Sequence, residues 1–231
     1  AQAEQINMRK ENLTNIHQQA QAHQRQRDEQ TWNQGTITMS QFAATLNDEL
    51  ISRGRLEQTI LFDEALTYSA DLCRYVQLPN PNQFFQTRGG SLGVGLPGAI
   101  GIQLAHPDKT VIGFSGDGGS MYTIQALWTA RHLQETGHPM NLKYVICNNK
   151  SYRLLKLNLE EYWVERGMPM HTFPDSFSLS QPDLDFDAMG RSFGWATWTA
   201  ERPDQIAPAI QAMLDHQDGP FLLNLCIPEV L

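Results

Sequence analysis

Between Thr110 and Tyr152 the chain reads T-V-I-G-F-S-G-D-G-G-S, then a helical stretch, then a polar break, then N-L-K-Y-V-I-C-N-N-K-S-Y. Few folds accommodate that order. Residues 111–115 form a short apolar run closed by glycine, the pattern of a buried strand, and residues 142–147 form a second. Between them Ile124, Leu127, Trp128 and Leu133 recur near helical spacing, which predicts a helix over 123–134 ended by the turn at 135–139. Strand, crossover helix and strand make a βαβ unit, whose right-handed crossover brings both strand ends to one edge of a parallel sheet. Asp117 leaves the first strand there and Asn149 leaves the second. A carboxylate and an amide oxygen at one point form a hard-oxygen site suited to Mg²⁺. Gly116, Gly118 and Gly119 admit a ligand close to the backbone, and the N–H groups of Gly118 to Ser120 open a helix, which favours a phosphate. Magnesium with two side-chain ligands completes its shell with phosphate oxygens and water. A diphosphate carried on magnesium is the economical reading.

The flanking chain predicts the frame around this unit. Residues 1–35 are Gln-rich and mixed in charge, with Ile6, Leu13 and Ile16 giving at most a narrow stripe, so a solvent-facing helix or frayed linker is expected. The domain proper is expected over 36–231. Ser40 is a candidate cap for a helix ending near Gly54. A strand over 59–62, a loop over 63–67, a helix through Ala70 to Val76 and a minor strand at Phe84-Phe85 follow. A glycine-rich turn over 88–98 runs into a small-residue helix ending near Ala105. After Asn149 come an amphipathic helix over 152–163, a proline-bearing loop over 165–183, a helix capped by Asp185, a strand over 194–199, a helix from Pro203 and a last strand over 221–227. Strands alternating with helices over 36–228 predict an α/β fold: a doubly wound, mostly parallel sheet with helices on both faces. Gly93-x-Gly95-x-x-Gly98 is formally a dinucleotide fingerprint. No good strand leads into it, Pro97 occupies the turn, and it leaves Asn148-Asn149 unexplained.

Charge and cysteine content narrow the class. A formal net charge of −8 argues against a nucleic acid or anionic membrane surface as partner. No apolar run approaches the length of a membrane span. Cys73, Cys147 and Cys226 stand scattered in apolar contexts, which predicts buried free thiols and a cytoplasmic setting. The chain opens on Ala1, and a piece of a longer protein is expected.

G-D-G at Gly116–Gly118 followed by N-N at Asn148–Asn149 resembles the diphosphate–magnesium signature of thiamine diphosphate enzymes, with a gap a few residues longer that the turn at 135–139 absorbs. G-V-G-L-P-G-A-I-G at Gly93–Gly101 and A-L-W-T-A at Ala126–Ala130 are similar to the benzoylformate decarboxylase, acetolactate synthase and pyruvate oxidase group, and the resemblance extends over 61–227. It implies the C-terminal diphosphate-binding domain of such an enzyme. By that resemblance the side chains of Asp117 and Asn149 and the carbonyl of Ser151 ligate magnesium, and Gly116, Gly118, Gly119 and Ser120 line the diphosphate. Thr67 offers it a hydroxyl, although Ala65 and Leu66 stand where relatives often carry hydroxyls. Leu92 holds the cofactor bent, the Gly90 carbonyl accepts from its amino group, and Tyr152, Leu154 and Leu155 face the substrate.

The implied reaction is decarboxylation of a 2-oxo acid, with an acetolactate-synthase-like carboligase or a non-catalytic or split-subunit domain as alternatives. L-K-L-N-L at Leu155–Leu159, in place of a Trp-Gln pair, favours the decarboxylase. No catalytic residue is assigned within this chain. The initiating Glu of the family lies on a separate pyrimidine-binding domain or subunit, and Glu64 is expected to be structural or at the pocket rim. Apolar flanks, including the helix with Leu127 and Trp128, would be exposed without the partner domain, so a homo-dimer or tetramer is expected. Trp128 and Trp163 are read as core or subunit contacts, and His106, His132, His138 and His171 as loop or surface residues.

Overall fold

The structure is a computed structural model that describes residues 2–229, apart from the side chains at positions 2, 3 and 17. Ala1, Val230 and Leu231, the ends of the two expected ranges, lie outside the described residues. The Gln-rich tail is a single helix, α1 (Gln2–Glu29), exposed along most of its length. It is tied to the body through its last turn, where Asp28 accepts a hydrogen bond from the Tyr75 hydroxyl at 2.6 Å. Just beyond, Trp32 meets Tyr75 edge-on and donates to the Ser40 hydroxyl.

The domain then runs α2 (Met39–Ser52), β1 (Thr59–Glu64), α3 (Ser69–Tyr75), β2 (Phe84–Gln86), α4 (Gly95–Ala105) and β3 (Thr110–Gly116). It continues with α5 (Asp117–Ser120), α6 (Ala126–Glu135), β4 (Leu142–Asn148), α7 (Arg153–Glu165), α8 (Phe186–Ser192), β5 (Ala196–Ala200), α9 (Ile206–Asp215) and β6 (Phe221–Cys226). The six strands form one sheet in the order β2-β1-β3-β4-β6-β5, every pairing parallel. Parallel strands covered on both faces must be apolar on both faces, which is why their sequences read as runs rather than alternations. Leu61, Ile112, Phe114, Val145, Cys147 and Leu223 pack against α2, α3 and α9 on one face. Ile60, Phe62, Val111, Tyr144, Ile146 and Leu222 pack against α4, α6 and α8 on the other.

Several local expectations shift. β1 extends through Asp63 and Glu64, because both buried carboxylates find hydrogen-bond donors: Asp63 accepts from the Ala65 N–H and the Gln86 amide, and Glu64 from the glycine turn described below. Thr38, not Ser40, caps α2, since its hydroxyl accepts from the Gln41 N–H while Ser40 is already engaged by Trp32. The helix expected from residue 123 begins at Ala126, because α5 and a turn take up the chain directly after β3. Asp185 caps α8 as expected. Cys147 is buried, but Cys73 is exposed on α3, whose buried positions are Leu72 and Tyr75 instead. Leu127 is wholly buried, so only Trp128 of that expected flank is exposed, stacked on His132. Trp163 is buried against His171 and Phe173.

Candidate functional site

Strand order decides where a ligand can sit. β1 connects outward to β2 on one side, whereas β3 connects to β4 on the other, and α3 and α6 lie on opposite faces. The crevice beyond the C-terminal ends of β1 and β3 is the switch point at which such sheets bind ligands. A cavity of about 380 Å³ opens there. Residues 65–68 after β1, 116–119 at the end of β3, and Asn149 with 151–155 after β4 line it, with Leu92 and Tyr122 closing the side.

Asp117 is the buried charge of this crevice, only 3% exposed. One carboxylate oxygen accepts from the Gly118 N–H at 2.8 Å, and the other from the Asn149 and Ser151 N–H groups at 3.2 and 3.3 Å. Burial raises its pKa, and those backbone donors work against the rise. The ends of β3 and β4 therefore meet on one rim, as the βαβ reasoning requires. Asn149 points its amide oxygen at the Ser151 N–H, 2.9 Å away, and its amide nitrogen donates to the Tyr68 hydroxyl at 3.2 Å. The preceding Asn148 turns the other way and ties β4 to Asn224 of β6. Oxygen donors of this kind, a carboxylate with an amide and a nearby carbonyl, suit a hard cation that keeps room for ligand oxygens. Among the described residues no three His, Cys, Asp or Glu side chains converge as a metal cluster.

The glycines are needed for space. A Cβ on Gly118 would lie 2.4 Å from the Tyr152 ring, and one on Gly119 would lie 2.8 Å from the Ser115 hydroxyl. Two non-glycine residues at this rim, Leu66 (φ 53°) and Lys150 (φ 58°), adopt the left-handed conformation, which costs about 1–2 kcal/mol each. Strain of this kind concentrates where a site dictates the backbone.

The glycine-rich turn has an internal anion. Glu64, 1% exposed, accepts from the Gly93 N–H at 3.0 Å, the Gly95 N–H at 2.6 Å and the Ser115 hydroxyl at 2.9 Å. Its carboxylate thus occupies the N-terminus of α4, where a dinucleotide fingerprint would hold a pyrophosphate. Gly98 serves packing: a Cβ there would strike the Phe62 ring at 2.7 Å. Glu64 is structural and carries Leu92 to the cavity wall.

Residues 67–225 match the family described as thiamine pyrophosphate enzyme, C-terminal TPP binding domain. The chain belongs to the thiamine pyrophosphate enzymes. Acetolactate synthase isozyme 2 large subunit of Escherichia coli K12 is 28% identical over 88% of this chain and 35% of its own length. Benzoylformate decarboxylase of Pseudomonas aeruginosa is 32% identical over 65% of this chain and 26% of its own. The solved thiamine diphosphate-dependent 4-hydroxybenzoylformate decarboxylase of Rhodococcus jostii RHA1 superposes with a TM-score of 0.70 at 25% identity, over 84% of this chain and 33% of that one. The chain thus spans about a quarter to a third of the length of these relatives.

Within this cofactor-binding domain, Thr67, Leu92, Gly116, Asp117, Gly118, Gly119, Asn149, Ser151 and Tyr152 all line the cavity, as do Leu154 and Leu155. Two residues stand apart. The Ser120 hydroxyl turns inward to the Gly116 carbonyl at 2.8 Å, and Gly90 is exposed in a left-handed turn away from the lining. The Ser151 hydroxyl donates to Glu229, which also pairs with Lys156. Tyr68, Tyr122 and Arg153 line the cavity without having been singled out in the sequence. The signal for Tyr68 was available, since it stands one residue beyond Thr67 in the loop after β1.

Proposed function

We propose that this chain is the diphosphate-binding domain of a thiamine diphosphate- and Mg²⁺-dependent 2-oxo acid decarboxylase similar to benzoylformate decarboxylase. The observation that carries the reading is the meeting of Asp117 with the Asn149–Ser151 backbone on one rim, beside a cavity floored by Gly118 and Gly119. Asp117 and Asn149 hold magnesium through their side chains and Ser151 through its carbonyl. Gly116, Gly118, Gly119 and Ser120 form the strand-to-helix corner against the diphosphate, and Thr67 approaches it from the loop after β1. Leu92 supports the cofactor's bent form, with Gly90 supplying a carbonyl from the adjacent turn. When bound, thiamine diphosphate supplies an electron sink for loss of carbon dioxide from a 2-oxo acid. The chain's part is to anchor and orient that group, and to keep water from the reacting centre with the apolar wall of Leu92, Leu154 and Leu155.

The proton chemistry that starts the reaction is assigned to a pyrimidine-binding domain or subunit of a homo-dimer or tetramer, and Glu64 is engaged within the fold. The isolated chain is therefore expected to lack turnover. The second reading is an acetolactate-synthase-like carboligase, favoured by the longer match to acetolactate synthase. Calorimetric titration of the full-length protein with thiamine diphosphate, with and without magnesium, tests the cofactor. Magnesium-dependent binding is expected, and its absence favours a non-catalytic domain. Assay with aromatic and aliphatic 2-oxo acids, following carbon dioxide and acyloin products separately, divides the two reactions.

A further inference from the structure

The loop after β1 lacks hydroxyls at Ala65 and Leu66, yet its backbone is strained at Leu66 (φ 53°). What the strain achieves is visible two residues later. It turns the chain into a short 3-10 segment, Leu66–Tyr68, and places the Tyr68 side chain on the cavity wall, with the residue 7% exposed. The phenol oxygen accepts the Asn149 amide N–H at 3.2 Å, so it stands beside a candidate magnesium ligand. Among the described residues its own hydrogen is donated to no acceptor. A buried hydroxyl that only accepts is incompletely satisfied, and such a group at a ligand cavity is aimed at a ligand. The Arg153 guanidinium lies 5.4 Å from the centre of its ring, which draws electron density from the phenol and strengthens it as a donor.

We propose that Tyr68 is a diphosphate-binding residue, its hydroxyl donating to a diphosphate oxygen while accepting from the Asn149 amide that orients the metal ligand. The inference rests on the proposed function. It assigns to this tyrosine the contact that Ala65 and Leu66 do not provide.

The test is Tyr68→Phe in the full-length protein, with thiamine diphosphate binding followed by calorimetry at limiting and at saturating magnesium. Loss of one hydrogen bond to a charged acceptor is expected to raise the Kd about ten- to a hundredfold. The cofactor-free melting temperature should fall only slightly, because the ring remains in place and a single hydrogen bond, from the Asn149 amide, is lost. An unchanged Kd overturns the proposal. So does a loss of affinity that raising magnesium restores, since Tyr68 then acts only by holding Asn149. Absence of binding by the unsubstituted protein overturns both this inference and the proposed function, whereas binding by both forms with equal affinity overturns this inference alone.

Discussion

The two ends of this parallel sheet each bury a charge, and they treat it in opposite ways. Where β4 begins, Lys143 is wholly buried, and its ammonium donates to the carbonyls of His216 and Gly219. Burial, with repulsion from Arg55, pushes its pKa down to about 7. Those carbonyls flank the turn between α9 and β6, so the charge is answered within the fold and ties that turn to the sheet. Where β3 ends, the Asp117 carboxylate is answered by N–H groups from two different loops, two of them at 3.2 and 3.3 Å, and it borders a cavity. That carboxylate borders the space between three loops. A buried charge enclosed by one turn is a structural tie, whereas one shared between loops at a cavity is open to a ligand.

Asp117→Asn should break that contrast most sharply. Magnesium-dependent thiamine diphosphate binding should weaken by about a hundredfold or more, because a charged ligand is lost. Stability should change little, because an amide NH₂ set against a backbone N–H offsets the relief of no longer burying a charge. The folded pKa lies above the unfolded value of 3.8, so the folded state holds this proton more tightly than the unfolded chain does. The ionised group therefore costs stability once pH rises through 3.8, and the amide carries no such cost. For the same reason, cofactor binding by the natural protein should fall on acidification beginning above the usual carboxylate range. Calorimetry and thermal melting on one preparation check both signs, and a large drop in melting temperature would make Asp117 a tie like Lys143.

Glu64 sharpens the comparison because it lies near Asp117 yet, like Lys143, is answered within the fold and lines no cavity wall there. Glu64→Gln keeps one oxygen for an N–H and sets an amide NH₂ against another donor. The loss of a charge-assisted bond predicts a destabilisation of about 2 kcal/mol, read from the urea midpoint. Cofactor affinity should fall far less than for Asp117→Asn, through release of the turn that carries Leu92. An unchanged midpoint would show that the α4 N-terminus does not depend on this internal anion.

The sequence carried the strand ends and therefore the site's skeleton. Apolar runs closed by G-D-G and N-N give the βαβ unit, and right-handed crossover places Asp117 and Asn149 together without further information. What it did not carry were the side-chain directions that tertiary packing decides. Nothing local distinguishes Asn148, which turns to Asn224, from Asn149, which turns to Tyr68. Ser120 reads like a ligand to phosphate from its position, yet its hydroxyl is taken by Gly116 in the tight α5 turn. Glu64 and Gly93–Gly95 lie about thirty residues apart, so their pairing follows from the packing of α4 beneath β1 and from no sequence motif. Leu66 is opaque for the same reason, because a left-handed leucine is legible only once the loop it serves is seen.

Lys143 supplies the mildest test, at the end of the sheet away from the cofactor. With its folded pKa depressed from 10.5 to about 7, the unfolded chain binds this proton where the folded chain does not. Stability should therefore rise with pH across that window, with a slope of at most about 1.4 kcal/mol per pH unit from this group. Lys143→Met should remove the climb. At pH 7 it should change stability by no more than about 1 kcal/mol, since losing two carbonyl ties is offset by no longer burying an ammonium. Cofactor affinity should match the natural protein, because the substitution lies beyond the reach of the cavity loops. Urea midpoints of both proteins at pH 7 and pH 9 decide the point. Parallel slopes would mean that the His216 and Gly219 carbonyls hold the ammonium charged through the whole window, and that both ends of the sheet keep a true buried charge.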